Sequence, residues 1–171
     1  MVSWATGLGN SSLRISPSVL VRMPRSEKKG IDVAKVLAIE ADPELRSLVC
    51  LILTDDGHNC AEFDPESHES SCLAAVRDFQ PDVLVVGVAT PLRRRESRAG
   101  LKCLEEVGRA GEARPTVAYS LSADQILART LQRQGYVVWR RPFEDTEELC
   151  RLVGEAAGKG SRKAPRPACG R

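Results

Sequence analysis

The chain has 171 residues, of which 42% are hydrophobic and 28% charged, a balance that can supply a packed core. No apolar run is long enough to span a bilayer, and Met1–Asn10 lacks the basic-then-apolar order of a secretory signal. The expectation is therefore a soluble, cytoplasmic protein with no membrane partner. Of 25 basic and 23 acidic residues, ten basic and one acidic fall within residues 1–30 and 159–171, which leaves residues 31–158 with a net charge of −7. An acidic body with basic ends is not the charge pattern of a nucleic-acid-binding domain.

Residues 1–33 and 158–171 are rich in Ser, Gly, Pro and basic residues and show no hydrophobic period. They are expected to be a disordered N-terminal extension and a disordered basic C-terminal tail around one domain, 34–157. Gly7-Leu8-Gly9 is too short for a phosphate-binding fingerprint, and no strand precedes it. The six cysteines contain no CxxC, and no His stands at metal spacing from any of them. Five lie in predicted elements, where reduced cysteine acts as a small apolar residue. No metal site is expected.

In chain order, Val36-Leu37-Ala38-Ile39 is a continuous apolar run, as in a strand covered on both faces. Asp42-Pro43 opens a helix: Asp42 suits the N-cap and Pro43 the first helical position. Leu45, Leu48, Val49, Ile52 and Leu53 share one face of it, and Gly57 ends it. Asn59–Phe63 reads as a short strand and Ser70–Phe79 as a helix. Pro81-Asp82 introduces Val83-Leu84-Val85-Val86, the strongest strand signal in the chain. A loop is expected over Ala89–Ala99, then a helix over Gly100–Ala110 and a strand over Thr116–Tyr119. Ser122-Ala123-Asp124-Gln125 has capping-box spacing and starts the next helix, which Gly135 closes. Tyr136–Trp139 is a fifth strand. The last helix starts near Asp145, with Leu149, Leu152, Val153 and Ala156 on one face.

Five βα units predict an α/β fold: a doubly wound, five-stranded parallel sheet in the order 2-1-3-4-5, flavodoxin- or CheY-like. In such sheets ligands and chemistry sit at the carboxyl ends of the strands.

Five landmarks at those ends resemble the receiver domain of response regulators. Val36-Leu37-Ala38-Ile39-Glu40-Ala41-Asp42-Pro43 resembles the family's first strand and acidic cluster. Gln80-Pro81-Asp82-Val83-Leu84-Val85-Val86-Gly87 resembles its third strand, and Ala89-Thr90-Pro91 with Gly100 the loop that follows. Thr116-Val117-Ala118-Tyr119-Ser120 resembles its fourth strand and Arg141-Pro142-Phe143 its closing turn. The resemblance runs from about Lys35 to Gly158.

In that family an aspartate ending the third strand accepts a phosphoryl group. Two acidic residues at the end of the first strand hold Mg²⁺, and a hydroxyl and a lysine contact the phosphoryl oxygens. Here Gly87 stands at the acceptor position, Ala41 at one acidic position and Arg141 at the lysine. Glu40 and Ser120 are retained. The resemblance therefore implies a vestigial phospho-acceptor pocket of Glu40, Asp42, Gly87, Ser120 and Arg141, with no catalytic residue, metal or cofactor. Glu40 is expected to pair with Arg141. Asp42 is read as N-cap or as a member of the cluster, and Ser120 as a local backbone cap. The segment Pro91–Gly100 is longer than in the family and carries Arg93, Arg94, Arg95 and Arg98, read as a solvated loop. Either Val138 or Trp139 takes the place of the family's switching aromatic.

The resemblance implies a stand-alone degenerate receiver in two-component or phosphorelay signalling. It would act by contact with a histidine kinase or another signalling protein, and would not be an enzyme. The partner surface would comprise Ala123–Arg133, Tyr136–Trp139 and Asp145–Val153, with Tyr136 and Trp139 as contact anchors. The alternative is a flavodoxin-like small-molecule-binding protein or enzyme on the same fold. His58 and His68 are expected to be solvent-exposed.

Overall fold

In a computed structural model of the chain, the described residues are 33–67, 70–92, 95–121, 125–140 and 142–160. The elements are β1 (Lys35–Ile39), α1 (Pro43–Asp55), β2 (Asn59–Phe63), α2 (Cys72–Phe79), β3 (Val83–Leu92), β4 (Arg95–Ser97), α3 (Ala99–Arg109), β5 (Thr116–Ser120), α4 (Gln125–Arg133), β6 (Val137–Trp139) and α5 (Thr146–Gly160). Five strands pair in parallel in the order β2-β1-β3-β5-β6. This is the doubly wound order expected from the sequence.

Alternation along the strands sends side chains to two cores. Val36, Ala38, Val83, Val85, Val117, Tyr119 and Trp139 pack against Val49 and Leu53 of α1 and Leu149 and Val153 of α5. Leu37, Ile39, Leu84, Val86 and Ala118 pack against Val76 of α2, Leu104 and Val107 of α3 and Leu131 of α4. Both faces of the sheet are covered, which explains why its strands read as continuous apolar runs.

Local chemistry fixes the junctions. The Asp42 carboxylate accepts from the N–H groups of Glu44 (2.9 Å) and Leu45 (3.1 Å), so it caps α1 as its place before Pro43 predicts. Such a cap contributes about 1 kcal/mol. Ser71 caps α2 in the same way through the N–H of Ala74. Asp82 accepts from the Lys35 N–H at 2.8 Å and ties the start of β1 to the start of β3.

Two boundaries differ from the sequence reading. The expected loop Ala89–Ala99 is largely strand. β3 continues to Leu92 and pairs antiparallel with β4 in the register Thr90↔Ser97, Pro91↔Glu96 and Leu92↔Arg95. The arginine run and Pro91 have loop composition, and that composition hid the pairing. Ser97 anchors the hairpin by donating from Oγ to Glu66 Oε1 at 2.7 Å. At the other end, α5 runs through Gly158 to Gly160, past the expected limit of 157. Residues 1–32 and 161–171, which hold most of the two expected tails, lie outside the described residues.

Candidate functional site

Three residues stand side by side at the carboxyl end of the sheet. Glu40 follows β1, Gly87 lies in β3 and Tyr119 in β5. Ile39 pairs with Val86 and Gly87 with Tyr119, so the three occupy one row across adjacent strands. By alternation from Ala38, Val85 and Val117, all three belong to the α1/α5 face. Because Gly87 carries no side chain, Tyr119 reaches across it. The Tyr119 hydroxyl donates to Glu40 Oε2 at 2.6 Å.

Glu40 is 1% exposed and takes further bonds from its own chain. Its Oε1 accepts from the Asp42 N–H at 2.9 Å, and its backbone carbonyl accepts from Arg46 Nη1 at 2.6 Å. Arg46 also lies 3.6 Å from Glu62 and 3.7 Å from Asp64. Burial, then the charge and hydrogen bond of Glu40, raise the Tyr119 hydroxyl well above the ordinary tyrosine range. Tyr119 therefore acts here as a fixed neutral donor.

The rest of the site is backbone. The register shifts between Gly87 and Ala89, a bulge where β3 leaves the regular ladder. Ser120 Oγ donates to the Ala89 carbonyl at 2.9 Å and so serves the backbone of the bulge. A Cβ built on Gly100 would collide with the Gly87 carbonyl oxygen and lie 2.9 Å from Val86 Cγ1, so α3 rests directly on β3 at this point.

These donors do not fit the divalent cation that a receiver site holds. Magnesium requires several free oxygen ligands in octahedral array. Both Glu40 oxygens accept hydrogen bonds from Tyr119 and Asp42, and Asp42 Oδ1 is committed to the helix cap. Ala41 and Gly87 offer no side-chain oxygen. Among the described residues, no group of three or more His, Cys, Asp or Glu is placed to hold a metal.

The fate of the remaining expected residues is mixed. Arg141 lies outside the described residues, and so does its expected pairing with Glu40. Trp139 is 1% exposed, which corrects its reading as a contact anchor. It packs edge-to-face with Tyr119 (5.6 Å between centroids) and Phe143 (5.1 Å), and its Nε1–H donates to the Asp145 carbonyl at 3.1 Å. The indole faces α1 and α5, whereas Val138 packs on the α2/α3/α4 face. Tyr136 is partly buried on that second face. His58 is buried at 4% exposure, not solvent-facing: its Nδ1 accepts from the Ala34 N–H at 3.2 Å. His68, Arg93 and Arg94 are outside the described residues.

Tyr119 was missed in the sequence. Its only signals were a buried phenol at the end of a central strand, which needs a partner for its hydroxyl, and a glycine in the neighbouring strand.

The parallel sheet order and the helices on both of its faces define the receiver-domain fold. The solved structures similar to this chain are of that kind. NtrX from Brucella abortus matches at 26% identity over 76% of this chain, with a TM-score of 0.60, and this chain spans 28% of that protein. The signal receiver domain of a modulated diguanylate cyclase from Desulfovibrio desulfuricans G20 matches at 18% identity and TM-score 0.59, covering 76% of this chain and 98% of that one. The chemotaxis protein CheY4 of Vibrio cholerae matches at 20% identity and TM-score 0.56, covering 73% and 99%. No protein-family model and no curated protein sequence matches the chain. No helix among the described residues is long and apolar enough to cross a membrane.

Proposed function

We propose that this chain is a degenerate receiver in two-component signalling that works by protein–protein contact and takes no phosphoryl group on aspartate. The row Glu40–Gly87–Tyr119 carries the reading. A phosphoryl transfer needs a carboxylate to attack phosphorus and cations to neutralise the oxygens. Gly87 supplies no carboxylate, and Glu40 is already bonded to Tyr119 and to the chain. A partner is recognised by a fixed surface under this reading, without a phosphorylation switch.

The surface of α4, β6 and α5 is the one assigned to that contact. Ile126 of α4 is 77% exposed and is the apolar residue there that a partner would cover, in place of the buried Trp139. The partner class is a histidine kinase or another signalling protein. The test is capture of such proteins on the immobilised full chain, with and without a phosphodonor, compared with Ile126→Asp. The reading expects capture that is indifferent to phosphodonor and lost in Ile126→Asp. Capture that requires phosphodonor contradicts it.

A further inference from the structure

Cys50 and Cys60 were expected to be separate reduced core residues, but their sulfurs are joined in a disulfide. Cys50 lies on the inner face of α1 and is buried. Cys60 lies on β2, the edge strand of the sheet, and is only partly buried. Their Cα atoms are 5.4 Å apart, a separation that a disulfide spans without moving the backbone. One helical turn before Cys50, Arg46 reaches Glu62, which stands two residues beyond Cys60 on β2. α1 is thus tied to β2 twice along the same face, once by an ion pair and once by sulfur. Arg46 also holds the Glu40 carbonyl, so this helix–strand seam abuts the candidate site.

A second cysteine pair provides the contrast. Cys72 of α2 and Cys103 of α3 meet in the other core, and both are buried. The neighbouring Cys103 thiol, then burial, push the Cys72 thiol pKa up. That pair has no partly exposed member through which an oxidant could enter.

We propose that Cys50–Cys60 is a reversible redox pair, closed by a hydroperoxide, that sets how firmly α1 is held on β2. The partly exposed Cys60 thiolate attacks one peroxide oxygen. The O–O bond breaks, the departing alkoxide or hydroxide takes up the proton that the Cys60 thiol had released and leaves as an alcohol or water, and Cys60 becomes a sulfenic acid. The Cys50 sulfur then attacks that sulfur. The S–O bond breaks, and the departing hydroxide takes the Cys50 thiol proton and leaves as water. Two thiols give up two electrons to one peroxide. A small dithiol reverses the step by attack on Cys60 Sγ, with Cys50 as the leaving thiolate, and its second thiol releases the mixed disulfide. The Arg46 contacts do not depend on the sulfur bond, and two small thiols suit a core, so the open form keeps the fold. The proposal does not rest on the signalling reading.

The test uses the full chain, reduced with dithiothreitol, freed of it, and treated with stoichiometric hydrogen peroxide. Thiol counting and peptide mapping should show two thiols lost and a single link between residues 50 and 60, with residues 72 and 103 still free. Dithiothreitol should reopen the link without denaturant. The melting midpoint should be about 5–10 °C lower in the reduced form, the order given by a short disulfide-closed loop in a domain of this size. Amide exchange in residues 43–55 should be faster in the reduced form. In Cys60→Ala, or in Cys50→Val should the first fold poorly, the midpoint should not respond to either reagent. A link that opens only after unfolding overturns the proposal. So do a peroxide product that stops at an oxidised single cysteine and an α1 exchange rate indifferent to redox state.

Discussion

The Tyr119 hydroxyl donates to Glu40 Oε2 over 2.6 Å, across a strand whose intervening residue is Gly87. That bond places a neutral donor at the carboxyl end of the sheet. It also satisfies a carboxylate that is 1% exposed. Removing it takes one donor from a buried acceptor, which costs about 1–3 kcal/mol. Tyr119→Phe should lower unfolding stability by that amount. Glu40→Leu with Tyr119→Phe should cost less than the two single changes added, because each removes the same bond. Chemical denaturation of the four chains measures the coupling, and a value near zero means the two groups do not support each other.

The same phenol sets an alkaline limit. Folding raises the Tyr119 pKa through burial and then through Glu40. An unfolded tyrosine ionises near pH 10, whereas the folded group keeps its proton. The native state therefore binds more protons above that pH. Its contribution is complete below about pH 10 and is lost as pH rises further. Melting midpoints from pH 8 upward should fall more steeply for the unaltered chain than for Tyr119→Phe. Parallel curves would contradict this.

His58 sets the acid side. Burial lowers its pKa against the opposing pull of Asp56, whose carboxylate lies 3.7 Å from Nε2. The unfolded state takes up the proton first, near pH 6.5. Stability is retained above that value and declines as pH falls through the window between the unfolded and the lower folded pKa. In His58→Gln, the part of the decline that begins at pH 6.5 should disappear. A denaturation series from pH 7.5 to pH 5 reads it. An unchanged slope there would assign the decline to other groups.

Two glycines in α3 should respond in opposite directions to alanine. Gly100→Ala drives a Cβ into the Gly87 carbonyl and Val86, so α3 must lift from β3. The expected loss is about 1–3 kcal/mol. Gly108 has nothing within 4 Å of a built Cβ, so alanine there should gain up to about 1 kcal/mol from helix propensity. Thermal melts of the two variants test the close approach. Equal effects would mean that α3 does not rest on Gly87.

What was legible in the sequence had a local cause. Asp42-Pro43 announces the start of α1 because the cap is formed by neighbours in the chain. Val83–Val86 announces a central strand because both its faces are buried. The place of Gly87 in β3, one residue beyond the apolar run, was legible because that run fixed the strand. The rest depended on contacts between distant residues. Tyr119 finds Glu40 from 79 positions away, and Cys50 meets Cys60 only because α1 folds back onto β2. Trp139 has the composition of a surface anchor, but alternation turns it inward onto Tyr119 and Phe143. The β3–β4 hairpin was hidden by arginines that have the composition of a loop.

On the proposed reading, Tyr119 and Glu40 close the site, and Gly87 leaves it without an acceptor carboxylate. Intact mass spectrometry after incubation with acetyl phosphate and Mg²⁺, on the unaltered chain and on Gly87→Asp, tests it most directly. The account predicts no phosphoryl adduct on either, since the restored carboxylate would meet Tyr119 and would still lack metal ligands. For the unaltered chain it also predicts a melting midpoint unmoved by Mg²⁺, a readout that does not depend on the variant folding. A phosphoryl group on the unaltered chain, or an adduct restored by Gly87→Asp alone, would contradict it.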